Sequence, residues 1–414
     1  MVVTVFGLGF VGLTTAVGFA QTGIKVYGID VNQARVETIK AGKLPFFEPG
    51  LDEALVHNLN RNFYPTNDVE SAVRESDCIY YCVGTPYGEK GQADLTYLYE
   101  AVQSSLAYID DGKFRVLVTK STIPPSTTED KIIPFVEKMG FCVGKQIGVA
   151  NNPEFLREGC CWDDFMNADR IVAGVSDRQS EKMLRTLYSK FDIPFYAVSL
   201  NTGEFIKYLS NALLATLISY ANEMSVIADT IGDIDVANAF RILHMDKRWG
   251  SCVMKTYAYP GCGYGGYCLP KDTNALLSLS RNKGYDAGIL KNVIETNEKM
   301  PEFIVRKITK NIDKENKIGI LGLSFKPGSD DVRDTPAAKV IRKLMKEGYS
   351  NIIAYDPIAV EEFQKHYEFD IAYSYQIMQV LEKADILVIL TAWEEFRKVP
   401  ELTEKEIVDC RFML

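Results

Sequence analysis

The sequence predicts an α/β protein with two Rossmann-like, doubly wound domains joined by a long central helix. Three observations carry that expectation. The chain opens with an apolar β-branched strand, a glycine-rich turn and a small-residue helix; residues 203–232 run at helical spacing without an internal glycine or proline; and a second strand–loop–helix–strand block begins at residue 317. The expected division is 1–200, 201–300 and 301–414.

Size and charge agree with such a plan. At 414 residues and 47% hydrophobic content the chain can bury a large core and is too long for one ordinary domain. A formal net charge of −9 disfavours binding to nucleic acid or to anionic membrane, neither of which is expected as a partner. No apolar run reaches the roughly 20 residues of a membrane-spanning helix, and the first ten residues lack a basic stretch, so the cytoplasm is the expected location. The nine cysteines form no CxxC pair, and His57, His244 and His366 lie far apart. Reduced thiols and no metal are the expectation.

The first element, "VVTVFGLGFVGLTTAVGFAQTGIKVYGID", places Gly7, Gly9 and Gly12 in GxGxxG spacing between a strand and a helix, and Asp30 closes the next strand. In a βαβ unit these glycines permit a tight turn, a close approach of backbone to a pyrophosphate, and helix–strand packing, while the acid accepts the ribose hydroxyls of NAD. A purely structural glycine turn is the alternative. Asp30 should repel the 2′-phosphate of NADP; Arg35, one turn further, is the residue that could welcome it.

Three more buried strands follow, in 77–86, 114–125 and 147–155, each ending in a polar or proline-rich turn. Ligands of doubly wound sheets lie at the carboxyl ends of strands, which makes Thr85, Ser121, Thr122, Asn152 and Glu154 candidates by position. Each could equally cap a helix or close a turn. On the long helix, Lys207 and Asn211 are i, i+4 and share a face. They read either as a functional pair or as a solvated lysine beside a surface amide.

"PGCGYGGYCLPKD" (260–272) sets Cys268 after a glycine-rich turn, with Pro270 suited to a first helical position and a stop at Gly284. A helix N-terminus and the neighbouring Lys271 favour a thiolate, so Cys268 is either a nucleophile or a buried turn residue. The last block, "KIGILGLSFKPGSDDVRDTP", leads through a helix to a strand ending at Asp356, without a full GxGxxG. Two nucleotide-type domains suit a ligand pair with two phosphorylated halves.

Together, "GLGFVGLTTAVGFA", "VGTP", "KSTIPP", "NNPEFLREG", "IKYLSNALLA", "YGGYCLPKDT" and "LGLSFKPGSDDVRDTP" resemble, in order and spacing, the UDP-glucose/GDP-mannose dehydrogenase family over nearly the whole chain. The resemblance implies an NAD-dependent, two-step oxidation of a nucleotide sugar, most like that of UDP-glucose. It assigns NAD to 1–200, the dimer contact and catalytic segment to 201–300, and the UDP-sugar to 301–414. Cys268 is implied as the nucleophile, Lys207 and Asn211 as oxyanion stabilisers, and Asp272, Glu154 and Thr122 as the set around a water. Around NAD it implies Gly7, Gly9, Phe10, Val11, Gly12, Asp30, Arg35, Thr85, Thr122, Glu158, Lys271 and Arg333.

Around the sugar nucleotide it implies Glu154, Phe155, Leu156, Arg157, Lys207, Asn211, Tyr264, Gly265, Phe325 and Lys326, with Arg248 reaching across a homodimer interface. Three departures from the family pattern stand out: a longer stretch between Arg248 and Cys268, Tyr267 in place of a serine, and Cys410 in a "DCRF" ending. The last two are expected to bear on sugar or nucleotide preference. Rival readings are the same chemistry on GDP-mannose, UDP-galactose or a UDP-N-acetylhexosamine, a two-electron hydroxyacid dehydrogenase, and a catalytically silent NAD-binding protein.

Overall fold

The computed structural model describes residues 1–86, 88, 92–246, 257 and 259–414, and these fall into two compact units, Met1–Leu209 and Ser210–Leu414. In the first, eight strands form one sheet: β1 (Val2–Phe6), β2 (Lys25–Ile29), β3 (Phe63–Thr66), β4 (Cys78–Tyr81), β5 (Arg115–Thr119), β6 (Ile147–Asn151), β7 (Ile171–Val175) and β8 (Phe195–Val198). Their order is β3-β2-β1-β4-β5-β6-β7-β8, parallel except for the β6–β7 pair. The central strands are mostly apolar because both faces are covered, with Thr4 and Arg115 the buried exceptions in β1 and at the start of β5. Val3, Val5, Tyr80 and Val118 pack on one face with the helix Phe10–Gln21, and Ile79, Tyr81, Leu117 and Val149 pack on the other.

Strand order reverses between β1 and β4, and the glycine turn sits at that point. Gly7 has φ +86°, and its N–H bonds the carbonyl of Ile29 at 2.8 Å. A Cβ on Gly12 would stand 1.7 Å from the carbonyl oxygen of Gly7, so only glycine lets the helix pack this close to the turn.

The second unit repeats the plan on a smaller scale. Strands β9 (Ile318–Leu321), β10 (Ile352–Tyr355), β11 (Ala372–Ser374), β12 (Ile386–Ile389) and β13 (Ile407–Asp409) are all parallel, in the order β11-β10-β9-β12-β13. Gly322, at φ +100°, donates to Tyr355 as Gly7 does to Ile29. Asp356 takes the place of Asp30, but its carboxylate is filled by the N–H groups of Leu323, Ser324, Ile358 and Ala359 and by Trp393 Nε1. Its oxygens hold the turn in place of a ribose.

The long helix runs Leu200–Ile231, three residues earlier at its start than the sequence suggests. Ser199 sets the early start as its cap: its Oγ accepts from the Thr202 N–H at 3.3 Å and its carbonyl from the Gly203 N–H at 2.9 Å, while Asn151 packs against this turn, its Nδ2 donating to the Leu200 carbonyl at 2.9 Å and its Oδ1 filling the space a Gly203 side chain would need. Gly232, at φ +84°, ends it. No helix among the described residues is long and apolar enough to cross a membrane.

Candidate active site

Asp30 is buried at the end of β2 and ties the glycine turn together. Its Oδ2 accepts from Leu8 N–H at 2.8 Å and from Arg35 Nη1 at 3.0 Å, and its Oδ1 accepts from Asn32 N–H at 2.8 Å. A Cβ on Gly9 would meet nothing within 4 Å, which leaves open space directly before the helix N-terminus. A helix terminus with no side-chain cap among the described residues, open space and a carboxylate at the next strand end fit a dinucleotide. Phe10 stacks on Phe46 at 4.0 Å, and Val11 occupies the first turn. Thr85, buried, donates to the carbonyl of Thr122 at 2.9 Å and so joins two strand-end loops.

Also in the first unit, Glu154 and Lys207 form an ion pair at 2.8 Å with about 7% and 6% of their side chains exposed. Burial pushes the Glu154 carboxyl up; the Lys207 charge and hydrogen bond and the Leu156 N–H outweigh that and hold it below its usual range. Phe155 lies between cations, 4.3 Å from the Arg170 guanidinium and 5.7 Å from Lys207 Nζ. Arg157 is engaged by Asp164, at 2.6 Å from Nη2, and Glu158 is half-buried in the following turn.

In the second unit, Asn211 Nδ2 donates to Asp272 Oδ2 at 2.6 Å, and Lys271 Nζ is paired with Asp272 Oδ1 at 2.5 Å; all three residues are buried. Cys268 is exposed and stands one turn before Asp272 on the same face of the helix Cys268–Asn282. The preceding loop is built by close approach. Asn297 clasps Tyr264 through N–H to Oδ1 at 2.7 Å and Nδ2 to carbonyl at 3.0 Å. A Cβ on Gly265 would come within 2.5 Å of the Asp334 carbonyl, and Phe325 covers Gly266. Tyr267 lies between Arg333 and Lys271, 4.8 Å and 5.7 Å from its ring. Lys326 reaches over Phe325 at 5.6 Å.

The structure therefore brings Glu154 to Lys207, and Asn211 to Asp272 and Lys271, and spaces Lys207 and Asn211 one turn apart on one helix. Two readings are corrected. Pro270 is the third helical residue, not the first, because the missing N–H of proline costs nothing anywhere in a first turn; Cys268 thus begins the helix instead of preceding it. The alternative of Cys268 as a buried turn residue falls with its exposure. Arg248, and most of the stretch from it to Tyr259, lies outside the described residues.

Two buried ionisable groups near the Glu154–Lys207 pair are assigned no role by the sequence motifs. Lys120 donates to Asn152 Oδ1 at 3.0 Å, and burial, reinforced by Lys207 and opposed by Cys82 and Glu154, pushes its ammonium down to about 8. Glu204 lies one turn before Lys207 with 3% of its surface exposed. Its i−3 spacing from Lys207 was the available signal.

The model of the UDP-glucose/GDP-mannose dehydrogenase family matches this chain with its NAD binding domain over residues 1–192, its central domain over 201–299 and its UDP binding domain over 319–414. UDP-glucose 6-dehydrogenase TuaD of Bacillus subtilis is 36% identical over 415 residues, covering 100% of this chain and 87% of that protein. The UDP-glucose dehydrogenase structure from Pyrobaculum islandicum superposes with a TM-score of 0.92 at 35% identity, covering 99% of this chain and 94% of that one. A UDP-D-ManNAc dehydrogenase from Pyrococcus horikoshii gives 0.86 at 28% identity, covering 100% and 96%.

Proposed function

We propose that this chain, which belongs to the UDP-glucose/GDP-mannose dehydrogenase family, oxidises UDP-glucose to UDP-glucuronate in two NAD-dependent steps through a covalent intermediate on Cys268. The observation that carries the reading is an exposed thiol on the first residue of a helix, one turn from a buried carboxylate that Asn211 and Lys271 hold in place. A two-electron hydroxyacid dehydrogenase has no task for such a thiol.

The Gly7–Gly12 turn and Asp30 would hold NAD, which would supply a hydride acceptor for each of the two oxidations. The chain does the rest. Lys207 and Asn211 hold the oxygen of the reacting carbon, where a charge and an amide dipole stabilise negative character as it develops. Loss of one hydride and the hydroxyl proton turns the primary alcohol into an aldehyde, and the Cys268 thiolate then forms an S–C bond to the aldehyde carbon, whose oxygen takes up a proton. Loss of a hydride and that proton turns the thiohemiacetal into a thioester. Water then breaks the S–C bond, yielding the carboxylate and the free thiol, with Asp272, Glu154 and Thr122 as the groups around that water. Segments 1–200, 201–300 and 301–414 are assigned NAD, the chemistry and the UDP-sugar.

A homodimer completes the proposal. Phe205, Leu209, Leu213 and Tyr220 are 45–54% exposed along one face of the long helix, an apolar stripe suited to a second copy. A monomeric mass in sedimentation equilibrium would remove that part.

The nucleotide sugar itself is tested by rate. With UDP-glucose, UDP-galactose, UDP-N-acetylmannosamine and GDP-mannose offered separately, UDP-glucose is expected to give the highest kcat/KM. A preference for UDP-N-acetylmannosamine, the substrate class named for the Pyrococcus horikoshii structure, would keep the chemistry and replace the substrate.

A further inference from the structure

Glu204 is more deeply buried than a surface acid needs to be, and only one of its oxygens is used. Oε1 accepts from the backbone N–H of Thr128 at 2.8 Å and from its hydroxyl at 2.5 Å. Oε2 is buried and has no hydrogen-bond donor among the described residues. Such an atom keeps the full penalty of its lost hydration unless something else donates to it.

Beside Glu204 lies a small cavity lined by Ser121, Thr122, Asn151 and Lys207 among others, with about 10 Å³ in which a water can be centred. That is close to the space one water molecule requires, and a buried water needs two to four polar partners. The lining hydroxyls, the Lys207 ammonium and the Glu204 carboxylate supply them. Glu204 and Lys207 are the ionisable groups on this lining.

We infer that Glu204 is a positioning residue for proton release: with Lys207 and the Ser121–Thr122 loop it holds one water, and through that water it takes up the proton shed at each oxidation. The inference rests on the reading of Lys207 as the group at the reacting oxygen. As the substrate oxygen gives its proton to Lys207, Lys207 gives one to the water and the water gives one to Oε2. Lys207 stays charged, and the Glu204 carboxylate becomes a carboxyl; only bonds to hydrogen change.

The surroundings give Glu204 a suitable basicity. Burial raises its carboxyl to about 7, against the hydrogen bonds from Thr128 and the nearby backbone dipoles of Ser126 and Thr127. The charged groups around it are Lys207 on its own helix, Glu154 paired with Lys207, Lys120 buried beyond the end of β5, and the exposed Glu129, Asp130 and Lys131 on the segment it caps. A proton acceptor poised near neutrality passes protons most readily at neutral pH.

The test is the pH profile of kcat with UDP-glucose. In the wild type the rate is expected to fall as pH drops through about 7, where Oε2 is already protonated. Glu204→Gln keeps the shape and an oxygen for Thr128; it is expected to lower kcat about 10-fold and to remove that step from the profile. Glu204→Asp should retain the step and recover part of the rate. Thr128→Val, which weakens only the capping contact, should lower the melting temperature and leave the step in place. A Glu204→Gln enzyme with wild-type rate and profile would overturn the relay and leave Glu204 as a turn cap.

Should Glu204→Gln fail to fold, the infrared spectrum of the wild type decides. A carboxyl C=O band that titrates near neutral pH and shifts in Glu204→Asp is expected; no such band overturns the inference. That band is read without substrate, so failure to oxidise UDP-glucose would refute the reaction and not the ionisation.

Discussion

Replacing Cys268 by serine is expected to lower UDP-glucuronate formation by on the order of 10³-fold or more, the scale on which covalent catalysis disappears with its nucleophile. A serine hydroxyl stays protonated at neutral pH and adds poorly to an aldehyde without a base to activate it. Stability should change by less than about 0.5 kcal/mol, because Cys268 is exposed at a helix start, where serine is well tolerated. Product formation followed by chromatography, beside a thermal melt, separates the two effects. A variant that makes UDP-glucuronate at the wild-type rate would leave Cys268 without its assigned task.

Lys207→Met should be damaging in two ways at once. If Lys207 holds the developing oxyanion as proposed, loss of its charge costs about 10²–10³-fold in kcat. It also leaves Glu154, about 7% exposed, without its partner at 2.8 Å, which is expected to destabilise the fold by about 3–5 kcal/mol. The pH dependence follows from the lowered folded-state pKa of Glu154. A depressed carboxyl contributes stability that is present above the ordinary glutamate range and is lost as pH falls through the folded value. The melting temperatures of wild type and Lys207→Met should therefore converge on acidification. Adding Glu154→Gln to Lys207→Met is expected to restore most of the stability and none of the rate. Full activity in the double variant would show that the pair is only structural.

Much of this was legible because the signals are local. Gly7, Gly9, Gly12 and Asp30 belong to one strand–turn–helix–strand run, and each carries its own reason for being glycine or acid. Lys207 and Asn211 share a helix face by spacing alone. What the sequence withheld depends on contacts between distant residues. Glu154 meets Lys207 across a gap of 53 positions (154 to 207), and Asp272 meets Asn211 across 61. No local pattern announces either pair. Without the first, Lys207 reads equally well as solvated; without the second, Asp272 reads as a helix-dipole partner.

Helix starts were hidden for a related reason. Asn151, at the end of β6, packs against the first turn of the long helix that Ser199 caps, and the close approach of Gly265 to Asp334 accompanies a first turn that begins at Cys268. Tyr267, noted as a departure from the family pattern, proves to lie between Arg333 and Lys271, and that placement needs the fold of the 263–268 loop to be seen. Glu204 shares the long helix with two other acids, Glu223 and Asp229, and only its burial sets it apart.

The most direct measurement is the NADH released per UDP-glucose consumed in a reaction followed to completion. A ratio of about two is expected, since each molecule must lose two hydrides before the thioester is hydrolysed to UDP-glucuronate. A ratio of about one, with the aldehyde found free in solution, would contradict a covalent intermediate on Cys268.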